Sequence, residues 1–137
     1  MPDPSDLMAM MPFASRLGIE LTAATPEAVT GSLTWREDLC TTGGVLHGGA
    51  LMALADSLGG LCAFLNLPSG AATTTISSTT NFLRALRKGQ AIATSRPLRV
   101  GRTVIVVETE VRDEDGRLLS HTTQSQAVIA GAPSPAS

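Results

Sequence analysis

The segment from His47 to Leu65 constrains the fold of this chain more than any other, because it is long, apolar and periodic. Its leucines recur at intervals of three and four residues, the period of one face of an α-helix. They are Leu51, Leu54, Leu58, Leu61 and Leu65. Pro68-Ser69-Gly70 ends the segment with turn-forming residues, so we predict one long helix.

The same segment is long enough to cross a lipid bilayer. It contains Asp56, His47 and four glycines, however, and no aromatic or basic anchors flank it. These residues favour the core helix of a soluble protein over a membrane span.

Strand-like segments surround this helix, two before it and four after it. They are Ile19 to Ala24, Val29 to Trp35, Thr73 to Phe82, Ala91 to Val100, Thr103 to Val111 and Leu118 to Ile129. A short helix from Ser5, its predicted N-cap, to Met11 comes first, and Asp113-Glu114-Asp115-Gly116 is a predicted hairpin turn. The order predicts an α+β fold, an antiparallel sheet packed on one long helix, in a single domain over residues 1–130. Residues 131–137 are predicted to form a disordered tail.

Composition and charge narrow the class of function. The net charge is −2, and the densest basic patch is only Arg84, Arg87 and Lys88. With few aromatic residues as well, the chain is not expected to bind nucleic acid. Its two cysteines, Cys40 and Cys62, match no metal or redox motif. No basic residue precedes Arg16, so we expect no signal peptide and a cytoplasmic protein with reduced thiols.

Asp56 is the residue most indicative of chemistry. It is the only carboxylate between Asp38 and Glu108, and it lies within the most hydrophobic helix of the chain. An ionised carboxylate buried there would be costly without a partner, and desolvation would make it a stronger base. Alternatively, Asp56 lies on an exposed stripe with Ser57, Gly60 and Asn66. Helical spacing alone leaves both interpretations open.

The glycine-rich stretch from Gly43 to Gly49 leads directly into the predicted helix. Bare backbone N–H groups at a helix N-terminus stabilise negative charge, so they could bind a phosphate or polarise a thioester carbonyl. A glycine pair is also common in simple tight turns. His47 could be a structural hydrogen bonder, as could His121 in a strand, and neither has a second ligand at metal spacing. Ser57 lacks the G-x-S-x-G surroundings of a serine hydrolase.

Leu46-His47-Gly48-Gly49, followed after six residues by Asp56-Ser57, resembles the signature of the hotdog thioesterase superfamily, closest to its phenylacetic-acid-degradation type. The resemblance extends from about Phe13 to Ile129. It includes three further motifs, Thr79-Thr80-Asn81-Phe82-Leu83-Arg84, Gly101-Arg102-Thr103 and Asp115-Gly116-Arg117-Leu118. It implies the hotdog fold, in which an antiparallel sheet wraps one central helix.

The resemblance also implies roles for particular residues in hydrolysing an acyl-CoA or aryl-acyl-CoA thioester to a free acid and CoA. Asp56 would be the base or nucleophile, the Gly48 N–H would polarise the carbonyl, His47 would shape the site and Thr75 would hold the water. The substrate-binding positions implied are Gly49, Thr41, Asn81, Arg84 and Arg102. Thr41 stands where many members carry Asn, which leaves the level of activity and the substrate preference open. No metal or redox cofactor is implied, since CoA is part of the substrate.

Helix geometry bears independently on how such a site could be built. His47 and Asp56 are nine positions apart, so on one helix they lie on nearly opposite faces and roughly 13 Å apart. If both serve one site, two chains must contribute to it, in a homodimer or a dimer-of-dimers tetramer with the site at the subunit interface.

Two alternative functions would also be compatible with the hotdog fold. One is a non-catalytic acyl-CoA-binding protein, which the Asp56 carboxylate disfavours and Thr41 leaves open. The other is a hydratase or dehydratase acting on similar thioesters, but those resemble a different Asp/His arrangement that the sequence does not contain.

Overall fold

The computed structural model of the chain describes residues 3–131. Three α-helices and six strands occur in this part of the chain. In order they are α1 (Pro4–Ala9), α2 (Pro12–Leu17), β1 (Glu20–Ala24), β2 (Val29–Thr34), α3 (Gly48–Leu65), β3 (Ala72–Phe82), β4 (Gln90–Val100), β5 (Val104–Arg112) and β6 (Leu118–Ile129). Residues 132–137, most of the predicted disordered tail, lie outside the described residues.

The strands form one antiparallel sheet in the order β1-β2-β4-β5-β6-β3, and α3 packs across its inner face. The predicted α+β fold with a single long helix is therefore confirmed. Leu51, Leu54, Leu58 and Leu61 of α3 are buried, and Leu65 is partly buried against the same core. By length and composition α3 could cross a membrane, but these leucines pack on the sheet instead.

The predicted N-terminal helix, Ser5 to Met11, forms as α1 with shifted bounds, and a second short helix, α2, that was not predicted follows it. Asp3, not Ser5, caps α1, since its carboxylate accepts the Ser5 N–H at 2.8 Å. The chain then breaks before Pro12, which occupies the first position of α2. Proline disfavours helical backbone in the residue before it, and Met11 is accordingly not helical, at φ −123° and ψ 78°.

The turn between β5 and β6 forms where Asp113-Glu114-Asp115-Gly116 predicts it. Gly116 takes the left-handed backbone conformation at φ 82°, which glycine adopts without strain. The Asp113 carboxylate accepts the N–H groups of Asp115 and Arg117 and also pairs with the Arg117 side chain. These bonds hold the pKa of Asp113 below its usual value, with the Arg117 backbone N–H as the largest cause.

The inner face of β6 is polar although it is buried. Ser120, Thr122, Gln124 and Gln126 all point inward and are at most 1% exposed. The neighbouring inner residues of β5, in contrast, are mainly aliphatic, with Ile105, Val107 and Val111 buried. Buried polar groups are expensive unless they are hydrogen-bonded, so this stripe indicates a site rather than a plain core.

Strand β3 forms one edge of the sheet and is exposed on both faces along most of its length. It pairs with β6 on one side only, and a bulge at Ile76 interrupts the register between Thr75 and Ser77. An edge of this length offers a row of backbone donors and acceptors to another strand.

Candidate active site

Asp56 lies in the middle of α3 and is held by two side chains from the sheet. Its Oδ1 accepts a hydrogen bond from Thr75 Oγ1 on β3 at 3.3 Å and another from Gln124 Nε2 on β6 at 3.2 Å. Its Oδ2 has no partner among residues 3–131. One carboxylate oxygen is therefore fixed, and the second is free to meet a substrate or a water molecule.

The carboxylate itself is exposed in the single chain. The exposed-stripe interpretation is thus correct about accessibility. The stripe nevertheless borders a cleft, and the Asp56 carboxylate on it is hydrogen-bonded to the sheet. Asn66 does not belong to that cleft, because its amide bonds the carbonyls of Pro26 and Cys62 at the C-terminus of α3.

A chain of hydrogen bonds extends from Thr75 into the sheet. Gln126 Nε2 donates to Thr75 Oγ1 at 2.7 Å. The hydroxyl of Thr73 lies 3.2 Å from Gln126 Oε1, but its shorter hydrogen bond is to the Ala127 carbonyl at 2.8 Å. Thr75 and Gln126 are register partners across the β3–β6 pair, so the same face presents both. This chain fixes the orientation of the Thr75 hydroxyl, which in turn donates to Asp56.

Gln124 reaches Asp56 by lying against the backbone of α3 at Gly59, which has no side chain. It is 1% exposed, and a Cβ atom built on Gly59 would overlap its Oε1. Only glycine at this position lets the amide lie against the helix backbone. Gln124 Oε1 has no hydrogen-bond partner in the described part of the chain. A buried acceptor without a partner typically lowers the free energy of unfolding by about 1–3 kcal/mol.

Sequence reasoning missed Gln124 and Gln126. Their signal was the alternation of Thr122, Gln124 and Gln126 in a strand, but polar residues at every second position ordinarily mark the solvent face of a sheet. Only the packing of α3 on this face shows that these amides are buried.

The start of α3 forms a second candidate group. His47 is the N-cap, and its Nδ1 accepts the Gly49 N–H at 2.7 Å. The Gly48 N–H has no acceptor among the described residues, so it is available at the positive end of the helix dipole. The ring of Phe82 lies against Gly48, where an added Cβ would be 3.1 Å from the ring carbons.

These two groups lie apart within one chain. α3 runs unbroken from Gly48 to Leu65, which puts the Gly48 N–H and Asp56 roughly 12 Å apart along its axis. They also line different clefts. Asp56 borders a cleft of about 460 Å³, whereas His47 and Gly49 border another of about 260 Å³.

The remaining predicted site residues are dispersed. Thr41 lies in the loop before α3, where its N–H donates to the Val45 carbonyl at 2.8 Å, so it is on the His47 side. Asn81 pairs with His121 and lies on the face of β3 opposite to Thr75. The backbone of Arg84 bonds Leu119, and the turn containing Arg102 bonds Val128 through Thr103. The two arginines therefore lie near opposite ends of β6, roughly 30 Å apart.

Comparisons with known proteins agree on one family. A family model described as the thioesterase superfamily matches residues 43–120. The thioesterase HI1161 from Haemophilus influenzae has a similar structure, with a TM-score of 0.91 and 26% identity over 98% of this chain and 96% of its own. A mutant of the thioesterase PA1618 from Pseudomonas aeruginosa has a TM-score of 0.88 and 30% identity, over 94% of this chain and 95% of its own. A phenylacetic-acid-degradation-related protein from Ralstonia eutropha has a TM-score of 0.78 and 25% identity, over 93% of this chain and 92% of its own.

Proposed function

The chain belongs to the thioesterase superfamily, and on that premise we propose that it hydrolyses acyl-CoA thioesters to a free acid and CoA. The observation that carries the proposal is the Asp56 carboxylate, held at Oδ1 by Thr75 and Gln124 with Oδ2 free at the border of a cleft. A fixed carboxylate with one open oxygen suits a base or a nucleophile.

Asp56 acts in one of two ways, both of which need the same open oxygen. As a base, Oδ2 takes a proton from water while the water oxygen bonds to the thioester carbon, the C–S bond breaks and the CoA thiolate takes up the proton. As a nucleophile, Oδ2 itself bonds to that carbon and expels the thiolate, and water then cleaves the resulting anhydride. The Thr75 hydroxyl is close enough to Asp56 to hold the water in either case.

The Gly48 N–H supplies the second half of the chemistry. Negative charge develops on the carbonyl oxygen as the tetrahedral intermediate forms, and a free N–H at a helix N-terminus stabilises such charge. His47 shapes this end of the site, because its ring is fixed by the bond from the Gly49 N–H. No metal or redox cofactor takes part in this reaction.

The site is shared between two chains of a homodimer, alone or within a dimer-of-dimers tetramer. Asp56 of one chain works with His47 and Gly48 of the other, since the unbroken α3 separates these groups within one chain. The free edge of β3 supports this assembly, because it offers unpaired backbone groups beside Thr75. We place the enzyme in the cytoplasm, where acyl-CoA is available and its two thiols stay reduced.

A thiol-reactive dye tests the function by measuring CoA release from a panel of acyl-CoA thioesters. We expect steady turnover by the wild-type protein and a loss of about a hundredfold or more in kcat for Asp56→Asn, which keeps the side-chain shape and removes the charge. Binding without turnover would indicate the acyl-CoA-binding alternative instead. An Asp56→Asn variant within a few-fold of wild type would remove Asp56 from the mechanism.

A further inference from the structure

The cleft that Asp56 borders is polar at one end and apolar along the rest of its length. Thr73, Thr75, Gln126 and Ser57 lie at the Asp56 end. The other walls come from α1, α2 and the second half of α3, through Leu7, Met10, Met11, Pro12, Phe13, Ala14, Gly60, Leu61 and Phe64. We call this apolar part the acyl groove. Its position next to the free Oδ2 makes it the natural place for the part of a substrate that adjoins the thioester carbonyl.

One stripe of α3 forms the floor of the acyl groove. Asp56, Gly60 and Phe64 are spaced four residues apart, so they follow one another along the same side of the helix over roughly 12 Å. The groove is deepest at Gly60, since this residue has no side chain. A Cβ added there would meet nothing within 4 Å. The space above Gly60 is therefore open, and the fold does not require glycine at this position for packing.

Charge further restricts what the acyl groove can accept. Asp56 is the only ionisable side chain among the residues that line this cleft. Within the cleft of one chain, a carboxylate on the acyl group would meet no cation and would be repelled by Asp56. An acyl group rich in hydroxyl or amine groups would likewise find few partners beyond the polar end.

The groove walls are also unusually exposed for such large apolar side chains. Phe13 is 65% exposed and Phe64 39% exposed, and Met10 beside them is 59% exposed. Methionine side chains are flexible and adapt to ligands of different outline. An apolar chain lying over Gly60 would cover these side chains and remove their surface from water.

We infer that the substrates carry an uncharged, apolar acyl chain of medium length or longer, and that Gly60 determines this preference by leaving the groove open. The inference rests on the proposed thioesterase function. It concerns only the acyl end of the substrate and leaves the roles of Asp56 and Gly48 unchanged.

A comparison of substrates on the wild-type protein tests the chemical class. We expect kcat/KM for octanoyl-CoA to exceed that for acetyl-CoA by about tenfold or more, because each buried methylene contributes binding. We expect succinyl-CoA to be hydrolysed more slowly than butyryl-CoA, which has the same chain length without the terminal carboxylate. A preference for acetyl-CoA or succinyl-CoA would overturn the inference.

A graded series at position 60 tests the role of the groove itself. Gly60→Ala, Gly60→Val and Gly60→Leu place growing side chains in the open space without meeting other atoms of the chain at Cβ. We expect the ratio of octanoyl-CoA to acetyl-CoA activity to fall stepwise, by about tenfold or more for Gly60→Leu. Acetyl-CoA is the internal control, because its hydrolysis needs Asp56 but not the far end of the groove.

The outcomes separate this inference from the proposed function. If no acyl-CoA is hydrolysed by the wild-type protein, the proposed function fails. If the wild-type protein turns over acyl-CoAs and Gly60→Leu leaves the octanoyl to acetyl ratio unchanged, only the groove assignment is wrong. A change in the size-exclusion profile of Gly60→Leu, with the ratio unchanged, would show instead that a second copy of the chain covers the groove.

Discussion

At the scale of single residues, Gln124 is the side chain whose role is most open to test. It donates to Asp56 Oδ1 at 3.2 Å from a buried position, and a bond to a charged group contributes about 1.5–3 kcal/mol. We expect Gln124→Met, which keeps the length and removes the amide, to lower kcat about tenfold or more. KM should change little, because the amide touches Asp56 rather than the acyl groove.

Two further variants show whether Gln124 acts through Asp56 or only through packing. Thr122→Val is the matched control, since it removes a buried polar group from the same face of β6, and within residues 3–131 the Thr122 hydroxyl bonds only the Thr80 hydroxyl. Its kcat should stay near wild type. Gly59→Ala should reproduce the kcat loss by displacing the Gln124 amide and should add little in a Gln124→Ala background, where no long side chain remains for the new Cβ to displace. A kcat loss in Thr122→Val equal to that of Gln124→Met would assign the effect to the strand as a whole.

The Gly48 N–H can be removed by a single substitution. Proline at this first helical position deletes the donor while fitting the backbone of a first turn. The loss of one such donor is typically worth about 3 kcal/mol of activation barrier, so kcat for Gly48→Pro should fall about a hundredfold. Gly48→Ala introduces the same Cβ contact with Phe82 but keeps the N–H. Equal activity in the two variants would show that contact with Phe82, and not the donor, decides the rate.

At the scale of elements, the β5–β6 turn should confer a pH dependence on stability. The hydrogen bonds from Arg117 and Asp115 lower the pKa of Asp113 in the folded chain. A carboxyl group with a lowered folded-state pKa stabilises the protein above its unfolded pKa of about 3.9, and this contribution is lost as the pH falls towards the folded value. The difference in Tm between wild type and Asp113→Asn should therefore be largest near neutral pH and shrink in acid. A difference that is constant with pH would mean that the Asp113 charge is not what holds the turn.

The elements also show how far the sequence determines the structure. The leucine period of α3 and the glycine turns between strands are local signals, and they predicted the helix, the six strands and the Asp113 to Gly116 turn. The second helix, α2, was not predicted, because its six residues are too few to show a helical period. The link from Gln124 to Asp56 joins residues that are far apart in the chain. Such a contact depends on how α3 packs on the sheet, and no local sequence pattern predicts that packing.

At the scale of the whole molecule, the separation of Asp56 from Gly48 leads to a complementation test. Asp56→Ala and Gly48→Pro are each expected to be nearly inactive, and they damage different ends of α3. Unfolding and refolding them together gives mixed dimers in about half of all cases. In a shared-site dimer each mixed pair has one intact site and one doubly damaged site, so roughly a quarter of wild-type activity should return.

The opposite outcome would be equally informative. If each chain built its own site, every site in the mixed dimers would carry one lesion and no activity would return. Mixed dimers should be verified by a mass or affinity label on one of the two variants. A lack of recovery with verified mixed dimers would reject the shared site and, with it, the use of the β3 edge to bring two sites together.

The adjacent glycines in α3 set a limit on how far this protein can be stabilised. Replacing a glycine by alanine inside a helix ordinarily gains about 1 kcal/mol, so Gly59 and Gly60 would be the first positions chosen in a search for thermostable variants. One of them admits the Gln124 amide, and the other borders the open space beside Phe64. At Gly59 the overlap of an added Cβ with the buried Gln124 amide offsets this gain, whereas the space at Gly60 is open. Selection for heat resistance alone should therefore enrich alanine at Gly60 and not at Gly59, and the acyl preference should decline as it does so.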